Sequence, residues 1–598
     1  MNEIRPVIAL PGTPDTYAGS PLPSSTPRPA RFWLNRDTVE QVIVMAVVLA
    51  FMFRTFLLEA FIIPTGSMAP TLMGRHLDLV CPECGMRYEV GASAEEPRDP
   101  TRSAQTVVMA VCSNCRFVQQ LDPRSEYRHR SCSGDKILVS KFNYDLNEPR
   151  RWDVIVFKFP HRAKDNYIKR LIGLPGETIS ICNGDVYVWD EQRGAWQIQR
   201  KPPSRITAML QLVHDTRYAP ESLYRAGFPL RWEGHGTPGV DAWKAEDAGR
   251  RYRCRSTSQV AWLRYRHRIP TADDWARARA GEPVQEAPRR GRYITDFYAY
   301  NASVTQYRDD VMSGRYRPDD ILAEVPAATG RFWVGDLALE CQVEVHGNAG
   351  AVWFDLVEGG RHHRCRIDVA TGKAELWITG PEGRPGRRLG EGRQHVAKVT
   401  GQTTLRGKGR YRIRFANVDD QLTLWVDRHV VAFDGPTEYE GGGERERPYW
   451  SPRDPGDLAP LGIGAEQVSL AVQQLRVLRD VYYGATTISG EWWSEYQGVE
   501  RDEENLRKLA RSPRMWSTSP IFDHRNRIEF ELKQDWFFPM GDNSPASADA
   551  RSWGRGGSYV ERRLLIGKAL VVFWPHPVGP PVGRLRVVPN VKRIRWIR

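Results

Sequence analysis

The sequence predicts a mainly β protein with an N-terminal transmembrane helix, a β-fold core and an inserted antiparallel β-sandwich. Three observations carry that expectation. First, aromatic residues are abundant, with 20 Trp and 22 Tyr in 598 residues, and these favour strands. Second, many segments alternate polar and apolar residues between Gly/Asp turns. Third, one long apolar run lies near the N-terminus and none comparable follows it. At this length several units are expected. The formal charge of +13 makes an acidic partner plausible, with anionic lipid and nucleic acid both candidates on charge alone. Nine Cys are too few for a disulfide-dense scaffold, and five fall between Cys81 and Cys132.

Residues 1–37 are expected to form a disordered cytoplasmic leader, rich in Pro, Ser and Thr with few apolar groups to offset ordering entropy. The transmembrane helix is placed over 38–60. Its uncharged stretch, Val42 to Phe53, is short, but Arg54 can snorkel and carry the apolar run to Leu58. A cleaved signal peptide fits less well, since no small-x-small site follows; a buried core helix is the other alternative. Arg28, Arg31 and Arg36 ahead of the run place the N-terminus in the cytoplasm and the rest outside.

The helix runs into Phe61-Ile-Ile-Pro-Thr-Gly-Ser-Met-Ala-Pro-Thr-Leu72, an apolar strand ending in a turn that presents Ser67. Pro64 fixes φ and Gly66 permits a tight turn, so Ser67 is a candidate nucleophile; the plainer reading is a turn serine bonding its own backbone. Residues 61–183 form the first part of the core, interrupted at 81–132 by a ribbon-like insert. There Cys81-Pro-Glu-Cys84 and Cys112-Ser-Asn-Cys115 present two thiols each, the set a tetrahedral structural zinc takes. Disulfides are the competing reading outside the cytoplasm. Gly134 to Phe142 and Arg151 to Phe159 alternate as strands. Asn166-Tyr-Ile-Lys-Arg-Leu-Ile-Gly173 is an apolar strand carrying Lys169, either an ion-pair lysine or a base.

Residues 184–331 show no clean period. From 332 to 484, Leu337–Val345, Ala351–Leu356, Tyr411–Phe415, Gln421–Val426 and Gln474–Leu478 read as strands of a jelly-roll-like sandwich, a fold that often binds glycans but does not fix a function. Cys341 and Cys365 could pair within it. Residues 485–598 complete the core, with a strand over Leu564–Trp574, a polar loop holding Ser547, Asp549 and Arg551, and a basic tail from Lys592 that reads as solvated or touching headgroups.

In this order, Arg54–Leu72, Gly134–Tyr144, Asp153–Glu177 and Gly541–Gly554 resemble the motif blocks of type I signal peptidases, over about 150 residues. The resemblance implies a membrane-bound serine endopeptidase of the bacterial inner membrane that removes signal peptides after small residues of Ala-x-Ala type. It implies Ser67 as nucleophile and Lys169 as general base, whose amine must be neutral near pH 7–8. Thr65 and the Ser67 N–H would form the oxyanion hole. Ser547 would orient the lysine, and Asp549 with Arg551 would hold the loop. Phe61, Ile63, Pro64, Met68, Leu72, Tyr167 and Ile168 would wall the substrate pockets. Catalysis would need no cofactor. The partners would be signal peptides of exported preproteins and the bilayer, with a glycan a candidate at the sandwich and no nucleic acid. Ser544-Pro-Ala departs from the charged residues usual in the last block. Two alternatives of other classes stand beside this reading. One is a membrane-anchored binding protein on a degenerate core. The other is a self-cleaving Ser–Lys repressor, for which no DNA-binding helix pair is found.

Overall fold

The computed structural model describes residues 36–52, 57–97, 101–284, 291–315, 330–383, 386–391, 395–485, 495, 512, 518–522, 525, 527–554, 557–575 and 590–598. The chain divides into two units, Met1–Thr55 and Phe56–Arg598. In the first, α1 (Arg36–Met52) is a 17-residue helix whose Val42, Ile43, Val44 and Met45 side chains are exposed. Among the described residues no helix is long and apolar enough to cross a membrane. The expected helical span of 38–60 is too long at its end. Leu58 to Ala60 belong to a strand, because their side chains alternate beside a partner strand that satisfies their backbone. The leader ahead of Arg36 lies outside the described residues.

The core of the second unit is one eight-stranded antiparallel sheet. Its strands are β1 (Leu58–Ile62), β2 (Lys136–Ser140), β3 (Val154–Phe159), β4 (Arg162–Gly173), β5 (Trp536–Met540), β6 (Val560–Glu561) and β7 (Leu565–Trp574), in the order β1-β2-β7-β3-β4-β5-β6. Alternation explains its two faces. Ile137, Val139, Val154, Val156, Ala569 and Val572 bury one apolar layer with Ile63, Met68 and Leu72, while Ile155, Phe157, Leu171 and Phe537 bury the other. The eighth strand, Arg595–Trp596, pairs with β7 opposite Val571 and Val572. The basic tail is therefore docked rather than solvated. Arg593 reaches Glu89 at 3.0 Å, and Arg595 donates to the carbonyls of Pro70 and Thr71 at 3.1 and 2.8 Å. A strand partner and unsatisfied carbonyls hold it more firmly than water would.

The insertion carries a two-sheet antiparallel sandwich around one large apolar cluster that takes Leu339, Phe415 and Val472 from one sheet and Phe354, Ile367 and Ile463 from the other. Leu337–Val345 and Gln421–Val426 are strands with the expected bounds. The sandwich begins earlier than residue 332: Gln211–Asp215, Trp232–His235, Trp243–Glu246, Arg251–Cys254 and Ala261–Tyr265 all join its sheets. These strands are only four or five residues long, so their alternation is too brief to read, and Trp232 and Trp243 turn into the apolar cluster. The helices Glu221–Arg225 and Ala272–Ala280 instead cover the four-cysteine module, where Leu223, Phe228 and Trp275 pack with Tyr88, Val107 and Phe117.

Candidate active site

The nucleophile turn is a short helical turn, Gly66–Met68, entered through Thr65 in extended conformation (φ −117°). Ser67 and Lys169, 102 residues apart, meet there: Lys169 Nζ lies 2.7 Å from Ser67 Oγ as donor, with both residues buried. Strand pairing places the lysine. Lys169 sits opposite Ile155 on β3, and its neighbour Arg170 points to the other face of the sheet. The Lys169 amine also lies 5.5 Å from the centre of the Tyr167 ring, and that ring stacks on Phe159.

Beside the pair runs a cleft lined by Phe61 to Thr65 and Ser67 on one wall and by Asn166 to Lys169 on the other, with Ile137 and Val156 between. Both walls are strand edges. β1 pairs only with β2, and β4 pairs with β5 only from Arg170 to Gly173, so among the described residues the β4 edge at Asn166–Lys169 has no second strand. Two strand edges facing one cleft can accept an extended chain. Phe61, Ile63, Pro64, Tyr167 and Ile168 line it as expected. Met68 and Leu72 do not: both are wholly buried beneath it in the apolar layer, because the turn at Gly66 reverses the strand alternation.

Thr65 lines the cleft beside Ser67 and makes no capping bond to the turn. Ser547 reaches the same place from the far end of the chain. A Cβ on Gly541 would fall 2.2 Å from Ser547 Oγ and 2.4 Å from the Ser67 carbonyl, so only glycine lets these segments close. Ser547 Oγ is buried and makes no hydrogen bond, so the bond to the Lys169 amine implied by resemblance is not formed here. Asp549 and Arg551 pair as expected, bidentate at 2.8 and 2.9 Å. Burial opposes the Asp549 charge, but the Arg551 guanidinium outweighs it and holds this carboxyl below its ordinary range. Asp549 also accepts from the Gly541 N–H, and Arg551 donates to the carbonyls of Gly484 and Ser544, which fixes the loop.

Sequence reasoning missed a second buried pair. Arg170 donates to both oxygens of Asp542 at 2.6 Å, Thr71 donates to the same carboxylate, and Arg170 also bonds the Trp152 carbonyl. Both side chains of the pair are fully buried. This tie joins the lysine strand, the nucleophile segment and the final loop. Its sequence signal is the Lys169-Arg170 doublet in an apolar strand, where two adjacent cations must find partners on opposite faces.

The four cysteines also converge. Cys81, Cys84, Cys112 and Cys115 offer sulfurs all within 4.8 Å of one another, with 3.6 Å from Cys81 to Cys115 and 3.7 Å from Cys84 to Cys112. Four thiolates at 2.3 Å around a tetrahedral zinc would lie about 3.8 Å apart, so the set fits that ion. Cys341 and Cys365 are not joined to each other. Each knuckle closes on its first cysteine's carbonyl through a left-handed residue, Gly85 in one and Arg116 in the other.

Comparison with known proteins agrees with the core. Residues 103–219, which include Lys169 but not Ser67, match the family model described as signal peptidase, peptidase S26. Signal peptidase I of Rickettsia bellii is 28% identical over 161 residues, covering 26% of this chain and 42% of that protein. Signal peptidase I of Bacillus caldolyticus is 45% identical over 56 residues, or 9% of this chain and 30% of that protein. That of Pseudomonas aeruginosa is 43% identical over 58 residues, 8% and 20% respectively. The chain spans less than half the length of these relatives. Among solved structures, the carbohydrate binding module CBM66 from Bacillus subtilis covers 41% of this chain and 94% of its own at 9% identity, with a TM-score of 0.21, too low to argue fold or ligand. On the family match and these relatives, part of the chain is similar to type I signal peptidases.

Proposed function

We propose that the protein is a membrane-bound serine endopeptidase that removes signal peptides from exported preproteins, cutting after small residues. The observation that carries this is the 2.7 Å contact between Ser67 Oγ and Lys169 Nζ where two strand edges face one cleft. A signal-peptide end lying extended between β1 and β4 would place its scissile carbonyl at Ser67. With the lysine amine neutral, the Ser67–Lys169 contact reverses: Oγ–H donates to Nζ, Oγ attacks the carbonyl carbon, and the amine holds the proton. Removal of the amine from water favours that neutral form. The Ser67 N–H and the Thr65 hydroxyl would receive the developing oxyanion, each donor worth about 3 kcal/mol. Lys169 would return its proton to the leaving amine, and water would then release the acyl group from Ser67. The apolar cleft walls favour small side chains beside the cut. The exposed apolar residues of α1 support a bilayer anchor. Structural zinc at the four cysteines would cross-link two turns and leave no open position for chemistry.

The test uses detergent-solubilised full-length protein and a preprotein whose signal peptide ends Ala-x-Ala, with the new N-terminus read by mass spectrometry. A single cut after the second Ala is expected, lost when that Ala is made Leu. Absence of any cut would sink the peptidase reading and favour a membrane-anchored binding protein on a degenerate core.

A further inference from the structure

We infer that Asn301, with Tyr300 beside it, is a positioning residue for the nucleophile, supplied by the long insertion and anchored to the four-cysteine module. The inference rests on the serine–lysine peptidase reading. Its centre is the buried amide of Asn543. The Asn543 N–H donates to the Ser67 carbonyl at 3.1 Å, and Asn543 Nδ2 donates to the Gly66 carbonyl at 3.0 Å. One residue thus ties back both carbonyls at the nucleophile. The second hydrogen of Nδ2 goes to Asn301 Oδ1 at 2.8 Å, and Asn301 Nδ2 donates to Asn543 Oδ1 at 2.7 Å.

The Gly66 carbonyl decides which way the Asn543 amide faces, and the reciprocal pair holds it there. The two ends of an amide are close in shape, and only their partners distinguish them. Without Asn301 the Asn543 oxygen loses its donor. A flip would then set two acceptors, Asn543 Oδ1 and the Gly66 carbonyl, against each other. Asn301 itself lies at the surface and covers Asn543, which is 1% exposed.

Tyr300 braces the same turn from behind. A Cβ on Gly66 would fall 2.2 Å from the Tyr300 ring, and one on Gly91 would fall 2.7 Å from it, so the ring lies directly on both backbones. Its hydroxyl donates to the Arg75 carbonyl at 3.4 Å. The brace is held in turn by the cysteine module. The Val111 N–H donates to the Ala302 carbonyl at 3.3 Å, and Ser303–Tyr307 runs antiparallel to Gln105–Val111 with Ser303 opposite Ala110. The residue after Val111 is Cys112, one of the four thiols. The insertions therefore complete the catalytic centre rather than merely decorate it.

Steady-state cleavage is measured for full-length wild type, Asn301→Ala, Asn301→Asp, Asn543→Ala and the Asn301→Ala/Asn543→Ala double variant, with melting temperature and metal content taken on each. Asn301→Ala is expected to lose about 10-fold or more in kcat with KM within about twofold and an unchanged melt. Asn301→Asp keeps the size but removes the donated amide hydrogen, so it should fall in the same way and serves if the alanine variant misfolds. The double variant should be no worse than Asn543→Ala, because the pair acts as a unit. Wild-type kcat in folded Asn301→Ala and Asn301→Asp overturns the inference, as does a loss carried wholly by KM or an additive double variant. An inactive wild type overturns the peptidase reading and this inference together; an active wild type with unaffected Asn301 variants overturns this one alone.

Discussion

The core sheet and the inserted sandwich use their interiors in opposite ways. The sandwich closes two sheets over a continuous apolar cluster. Its Asp355–His362 pair sits on the face turned away from that cluster, since Phe354, Leu356 and His363 alternate with it inward. The core sheet splits its apolar residues into smaller layers and buries Arg170–Asp542 and Asp549–Arg551 around the nucleophile turn. Buried ion pairs are weak contributors to stability against apolar packing, yet costly to break singly. In the core they tie together the segments around Ser67, and in the sandwich the Asp355–His362 pair lies outside the apolar cluster. Substitutions in the core's buried ion pairs should therefore cost activity and folding together, while those in the sandwich should cost stability alone.

The largest effect expected is at the cysteine module. Cys112→Ser should lose a bound zinc and unfold the module, since structural metal binding is folding free energy; metal content and melting check this. A metal-free wild type with an unchanged melt would remove the module from the comparison. Next, Asp542→Ala strands Arg170 without a counter-charge and should cost about 3–5 kcal/mol in denaturant unfolding of the core. A cost near that of a surface substitution would break the contrast. Thr65→Val keeps the shape and removes one hydroxyl, so cleavage should fall about 10²-fold with the melt unchanged. A lowered melt would make Thr65 structural.

The sandwich gives a pH signature on the alkaline side. Burial opposes the His362 charge, but Asp355 at 2.7 Å and Asp454 at 3.0 Å outweigh it and push its pKa up to about 9. A raised histidine stabilises in full below its unfolded value of about 6.5 and loses that stability as pH rises through 9. Sandwich stability should thus fall by up to about 3 kcal/mol between pH 6.5 and 9, and His362→Gln should flatten the profile. An unchanged slope would show that the pair does not couple to folding.

Legibility in sequence followed the same division. Ser67, Lys169, Asp549 and Arg551 were readable because chemistry demands particular residue types in short local strings. The strands Leu337–Val345 and Gln421–Val426 were readable because a half-buried strand must alternate. Leu58–Ala60 were taken as helix since an apolar run looks alike in helix and strand. Met68 and Leu72 belong on the pocket wall by resemblance, and the helical turn at Gly66–Met68 instead sets both in the buried apolar layer. The Asn301–Asn543 pair joins residues 242 apart and leaves no local trace. The docking of Arg593 and Arg595 depends on carboxylates and carbonyls that only the fold brings near.

The most direct test of the account is cleavage of an Ala-x-Ala preprotein by wild type, Ser67→Ala and Lys169→Ala, with circular dichroism on each. The account predicts that both variants stay folded and lose at least about 10³-fold in kcat/KM. Activity surviving in either folded variant would contradict the assignment of Ser67 as nucleophile and Lys169 as its base.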